Sequence, residues 1–177
     1  MRTQHSLESV LRVRSDADTL WREITQVDLA SFPHPAYLAL LGIPKPVRAE
    51  IVRPGIGGAR TAYFSNGLRF SQEITEWEPP TRYAFTFRPD AGFRVGHVLD
   101  LSAGPFRMIS GVYRLAPADP GVWVRLSSTY ELRGAAGPLL RVPVALVLRL
   151  FQTFLLRGIR ANAERRSAGR SEVGANA

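Results

Sequence analysis

Apolar and polar positions alternate from the start of the chain. Leu7, Ser9, Leu11 and Val13 fall on one side of residues 5–14, and Glu8, Val10, Arg12 and Arg14 on the other. A period of two is that of a strand. The period then changes: Ala17, Leu20, Trp21, Ile24 and Val27 recur at helical spacing. Ser15 precedes them as an N-cap, and Asp16 and Asp18 stand where the helix dipole favours acidic side chains, so a helix is predicted over 16–26. After the break Phe32-Pro33-His34-Pro35, residues Ala36–Leu41 allow only a short second helix, stopped by Gly42 and Pro44.

From there the punctuation is that of an antiparallel meander, alternating runs cut by turn residues. Pro54-Gly55-Ile56-Gly57-Gly58 separates Val47–Arg53 from Ala59–Ser65, and Asn66-Gly67, a strong hairpin signal, leads into Leu68–Trp77. Pro79-Pro80 ends that run; Thr81–Arg88, Phe106–Ala116 and Val122–Arg133 follow, each closed by a Gly/Pro/Asp cluster. Residues 93–104 stay open between strand and flap. Val95, His97, Leu99 and Leu101 alternate, but Gly96 and Ser102-Ala103-Gly104 weaken a strand. Val144, Val147, Leu148, Phe151, Leu155 and Ile159 then form the stripe of a long amphipathic helix. Arg149, Gln152, Arg157 and Arg160 lie off that stripe, and Pro143 implies a start near 140–143.

The order β-α-α-β6-α is that of an α+β domain: a bent, seven-stranded antiparallel sheet around one long C-terminal helix, with two short helices at an end. One domain over residues 1–166 is expected, and 167–177, small and polar without periodicity, is expected to be a disordered tail. A sheet curled around a helix it only partly touches leaves an interior space. The inward alternation brings Phe64, Tyr83, Phe85, Phe87, Tyr113 and Tyr130 to it, as an apolar ligand site requires.

Composition narrows the chemistry. The chain has 177 residues and no cysteine, which removes disulfides, thiolate metal sites and a cysteine nucleophile. Its histidines, His5, His34 and His97, show no metal-ligand spacing, so neither a metal nor an organic cofactor is expected. Net charge is +8, and residues 133–177, with eight Arg and two Glu, hold +6 of it. Lys45 is the only lysine. Such a face is either ordinary solvated helix or a contact for an anionic membrane; nucleic acid is not expected, because the aromatics fall in the core. The N-terminus lacks the apolar core of a signal peptide, and the apolar window Leu139–Leu156 is interrupted by Arg141, Pro143, Arg149 and Gln152, reading as a buried helix. A cytoplasmic monomer or homodimer is the expectation.

Over residues 6–166 the chain resembles the START-like (SRPBCC) superfamily, and within it the bacterial polyketide cyclase/dehydrase-like subgroup. The resemblance rests on Arg14-Ser15-Asp16-Ala17-Asp18-Thr19-Leu20-Trp21, on Gly55-Ile56-Gly57-Gly58-Ala59-Arg60 leading to Phe64, on Phe70 through Phe85, and on Gly111-Val112-Tyr113-Arg114-Leu115. It implies a helix-grip fold and a cavity, with Trp21 on the first helix. Fold alone does not choose among binding, transfer and catalysis.

Individual candidates follow from the faces. The glycine loop 55–58 lies between strands and is read as a turn rather than a phosphate loop. Glu73 and Glu76 fall on opposite faces of one strand, so one should point inward, where it would be a raised-pKa acid or a partner for Arg60 or Arg107. His97 is the other acid–base candidate. Ser128 and Tyr130 share the face of Leu126 and could hydrogen-bond a ligand, while Ser127 points outward with Arg125; Phe151 joins from the helix. The leading expectation is a binding protein that holds a lipid, sterol-like or aromatic polyketide molecule for sequestration or transfer, oriented by Arg60, Tyr113 or Tyr130. The alternatives are a cofactor-free cyclase, aromatase or dehydratase using His97 and Glu73, and a membrane- or partner-contacting module.

Overall fold

Alternation of the kind seen along this chain buries one side of each strand, and the resulting sheet must close on something apolar. The computed structural model describes residues 2–96, 99–135 and 137–175. In chain order its elements are β1 (Arg2–Val13), α1 (Ala17–Thr25), β2 (Val27–Asp28), α2 (Ala36–Leu40), β3 (Pro46–Arg53), β4 (Ala59–Phe64) and β5 (Arg69–Glu78). There follow β6 (Arg82–Thr86), β7 (Arg88–Pro89), β8 (Arg94–Val95), β9 (Leu99–Asp100), β10 (Phe106–Pro117), β11 (Val122–Arg133) and α3 (Gly137–Ala175). The main sheet is antiparallel in the order β1-β11-β10-β6-β5-β4-β3-β2, with β7 added on β5. It curls around α3 in a helix-grip arrangement. The seven long strands are those the alternation predicts; β2 and β7 are two-residue additions, and within the open stretch 93–104 the two-residue strands β8 and β9 pair with each other, apart from the main sheet.

Local chemistry sets the joints. The Asn66-Gly67 turn has Gly67 at φ +80°, a left-handed conformation that glycine adopts without cost. Helix α1 is capped one residue later than the sequence implies: the Asp16 side chain, not Ser15, accepts from the Thr19 backbone N–H at 2.7 Å. Between Ile74 and Glu76 the β5–β6 register slips. This bulge cancels the expected opposition of Glu73 and Glu76. Gln72 and Ile74 point inward, Glu73 is exposed, and Glu76 pairs with Arg82 outside, so neither carboxylate faces the interior.

Helix α3 departs from expectation at three places. It begins at Gly137 rather than 140–143, with Pro138 in the first turn and Pro143 inside the helix. It continues to Ala175 through the expected tail. Contacts to α1 explain this extension: Ser15 and Ser167 share a hydrogen bond of 2.8 Å, Arg166 pairs with Glu23 at 2.7 Å, and Arg170 lies 3.5 Å from Asp16. Finally, its apolar window is long and apolar enough to cross a membrane, yet it is mostly exposed rather than buried. One side of these turns faces a cavity, and on the other Leu139, Val142 and Leu146 face outward. Farther along, Gly158 lets Leu29 approach so closely that a Cβ there would lie 2.3 Å from Leu29 Cδ2.

Candidate ligand-binding cavity

The concave face of the sheet and the first half of α3 enclose a cavity of about 440 Å3, within the range of roughly 300–1,000 Å3 usual for small-molecule sites. Phe64 and Ala62 reach it from β4, Phe70 from β5, Phe85 from β6, Phe106 and Met108 from β10, and Leu126 from β11; Val144, Val147, Leu148, Phe151 and Leu155 face them from α3. Edge-to-face and stacked pairs brace this wall: Phe64 lies 5.0 Å from both Phe70 and Phe93, and Phe70 stacks on Phe93 at 4.5 Å. Leu41, Val95 and Gly96 also border the cavity. There the α2–β3 loop meets the β8–β9 hairpin. The Gly96 N–H donates to the Gly42 carbonyl at 2.9 Å, and a Cβ on Gly42 would stand 2.8 Å from Gly96 Cα.

Few polar side chains interrupt the apolar lining. Arg60 and Gln72, on adjacent strands β4 and β5, are both buried, and the Arg60 guanidinium donates to Gln72 Oε1 at 2.7 Å and to the Ile24 carbonyl at 3.2 Å. Ile24 is in the last turn of α1, where carbonyls lack helical partners and the dipole favours a cation. Arg60 also lies over the Phe85 and Tyr83 rings, 5.4 and 5.8 Å from their centroids. Opposite, Gln152 of α3 is buried, accepting from Ser9 Oγ at 2.7 Å and donating to Ser128 Oγ at 2.8 Å. Tyr113 completes the set; burial pushes its phenol well above the ordinary tyrosine range, so it stays a protonated donor. Arg48, the remaining polar liner, is exposed and pairs with Glu50.

Of the residues singled out from sequence, Arg60, Phe64, Phe85, Phe87, Tyr113, Ser128 and Phe151 line the cavity. Trp21 and Tyr83 do not. They form an aromatic cluster beside it, Trp21 5.0 Å from Trp77 and 6.3 Å from Tyr83, which stacks in turn on Tyr113. Tyr130 is buried beyond the cavity, between Phe106 and His5. Arg107 is exposed because Phe106, its neighbour on an alternating strand, takes the inward face. Glu73 is on the outside, and Ser127 points outward to Glu8 at 2.8 Å. His97 lies outside the described residues. Sequence reasoning passed over Gln72, whose face with Phe70 and Ile74 was readable, and Gln152, set aside as lying off the apolar stripe of its helix.

A family model described as polyketide cyclase / dehydrase and lipid transport matches residues 4–164. No curated protein matches the sequence significantly. Among solved structures the chain is similar to Ara h 8.0201 (TM-score 0.59, 19% identity, 91% of this chain and 98% of that one). It is also similar to ginseng major latex-like protein 151 from Panax ginseng (0.54, 13%, 90% and 97%). A third is a protein of Chromobacterium violaceum (0.53, 20%, 90% and 97%). At these identities the likeness speaks for the fold. With the helix-grip architecture and a family match over nearly its whole length, the chain belongs to the polyketide cyclase / dehydrase and lipid transport family of the START-like (SRPBCC) superfamily.

Proposed function

We propose that this protein binds a small hydrophobic molecule, a lipid, sterol-like compound or aromatic polyketide, in the cavity between sheet and α3, for sequestration or transfer. The observation that carries this reading is the cavity itself: about 440 Å3 walled by phenylalanine, leucine and valine, with polar groups in two small clusters. Apolar burial at about 25 cal/mol per Å2 supplies affinity, and the sparse polar groups fix orientation. A cyclase or aromatase reading has less support. Among the described residues the lining holds no carboxylate and no imidazole, and Glu73 is on the outer surface. Proton transfer would fall to Tyr113, whose raised pKa leaves it protonated and a weak acid, or to His97. The test is native mass spectrometry of the freshly purified full chain, followed by organic extraction. A stoichiometric hydrophobic adduct is expected; a protein that stays bare after incubation with neutral apolar probes contradicts the reading.

A second reading, contact with an anionic membrane, is favoured by a separate observation. Leu139, Val142 and Leu146 are exposed on the outer side of α3, and Arg141 and Arg149 are exposed along the same turns. Leu40 is exposed on α2, next to the cavity-lining Leu41. An amphipathic face of this kind, apolar residues flanked by arginines, suits the headgroup boundary of an anionic bilayer.

A further inference from the structure

Among the described residues Arg60 is the one group in the cavity whose charge no carboxylate answers. It is 4% exposed, and its guanidinium cannot give up its proton in a protein. Buried arginines are ordinarily held by carboxylates. Here, among the described residues, no carboxylate comes within ion-pair distance. Its partners are two neutral oxygens, the Gln72 amide and the Ile24 carbonyl, and its Nε, buried, has no acceptor. The end of α1 and the faces of Phe85 and Tyr83 soften the cost of the charge without neutralising it.

The surroundings are equally one-sided. Tyr113 lines the same cavity, and burial keeps its phenol protonated; Tyr83, stacked on it, is likewise protonated, with a buried hydroxyl that has no hydrogen-bond partner among the described residues. Both phenols lie close enough to Arg60 for its charge to act on them. A guanidinium and a protonated phenol at one wall are donors in search of an acceptor, and the ring that lies against both is Phe85. A neutral hydrocarbon entering this space leaves the charge unanswered. A molecule with one anionic oxygen head and an apolar body answers it and fills the remaining volume.

We propose that the cavity is built for a hydrophobic acid, an amphipathic molecule whose carboxylate-type oxyanion pairs with Arg60 and accepts from Tyr113 while its apolar body lies along Phe64, Phe70, Leu126 and Phe151. This rests on the reading of the cavity as a ligand site and adds the chemical class and the orientation of the ligand. Ser128, polarised by Gln152 on the opposite wall, is a second donor for any polar group farther along the same molecule.

The test is displacement of Nile red, a neutral apolar dye, from the full-length wild-type protein by dodecanoic acid and by methyl dodecanoate. The expected result is that the acid displaces the dye at about tenfold lower concentration than its ester, a charge-assisted hydrogen bond being worth about that factor. Arg60→Met, which keeps length and removes charge, is expected to raise the concentration of acid required by about the same factor, so that acid and ester become equally potent on the variant. Equal potency of acid and ester on the wild type, a comparison that needs no variant, overturns the inference while dye binding leaves the cavity reading standing. An acid preference that survives in folded Arg60→Met also overturns it. Failure of the wild type to take up Nile red, acid or ester removes both readings together.

Discussion

Glu23 shows how a single side chain carries information about pH. It is buried on α1, and burial raises its carboxyl above the ordinary value of 4.5 despite the opposing pull of Arg166 at 2.7 Å. A folded-state pKa raised in this way means that the folded chain holds the proton more tightly than the unfolded one. Its contribution to stability is therefore greatest below the ordinary carboxylate range and is lost as pH rises towards the raised value. The difference in melting temperature between wild type and Glu23→Gln, followed upward from pH 4.5, is expected to move against the wild type; a difference independent of pH contradicts this assignment. Gly111 offers a second test. A Cβ there would lie 2.7 Å from Phe85 Cζ and 3.3 Å from Phe87 Cε2, so Gly111→Ala drives two cavity-wall rings inward. The expected cost is about 1–3 kcal/mol in denaturant unfolding, together with weaker uptake of Nile red. Side-chain faces at this scale were readable wherever strands alternate without interruption, as at Phe85, Tyr113 and Ser128. They failed at Glu76, which alternation groups with the inward Gln72 and Ile74, because a one-residue bulge leaves no mark in the letters, and at Tyr130, because sharing a face does not tell how far along it the cavity extends.

Elements were more legible than residues, since period and punctuation are local properties. The seven long strands and α1 follow from alternation, turns and capping, whereas β2, β7 and the β8–β9 hairpin are two-residue pairings set by tertiary contact. The length of α3 was also hidden, because its last turns are held by Glu23, Asp16 and Ser15, which are distant in sequence. Two predictions belong here. Gly42→Ala adds a methyl group against Gly96 Cα at a residue with φ +63°, pushing the hairpin off the α2–β3 loop where both border the cavity. Faster release of a bound dye in stopped-flow measurements is expected, with little change in the equilibrium secondary structure by circular dichroism; unchanged release removes the hairpin from the entry path. For α3, a combined Leu139→Gln, Val142→Ser and Leu146→Gln variant removes only exposed apolar surface. Its melting temperature is expected to stay within about 2 °C of wild type, while co-sedimentation with vesicles of mixed neutral and anionic phospholipid is lost. Sedimentation equal to wild type, or none by the wild type at low salt, sinks the membrane reading.

At the scale of the whole molecule, charge and cavity have separate origins. Much of the C-terminal basic excess serves the fold: Arg133 pairs with Glu131, Arg160 with Glu164, Arg166 with Glu23 and Arg170 with Asp16. Among the described residues Arg141, Arg149 and Arg157 make no ion pair, and Arg141 and Arg149 lie on the part of α3 that exposes Leu139, Val142 and Leu146. The cavity lies between the concave sheet and the first half of α3, whereas farther along the helix packs closely, as at Gly158 against Leu29. What it holds is therefore the central question. The most direct measurement is a fluorescence titration of the wild type and of Leu126→Trp with Nile red. Leu126 is buried and lines the cavity, so the larger ring occupies ligand space without touching the outer surface. The expected result is saturable one-to-one binding by the wild type and a loss of about tenfold or more in the folded variant. Equal binding by both proteins, or none by the wild type, would place the ligand elsewhere and contradict the account.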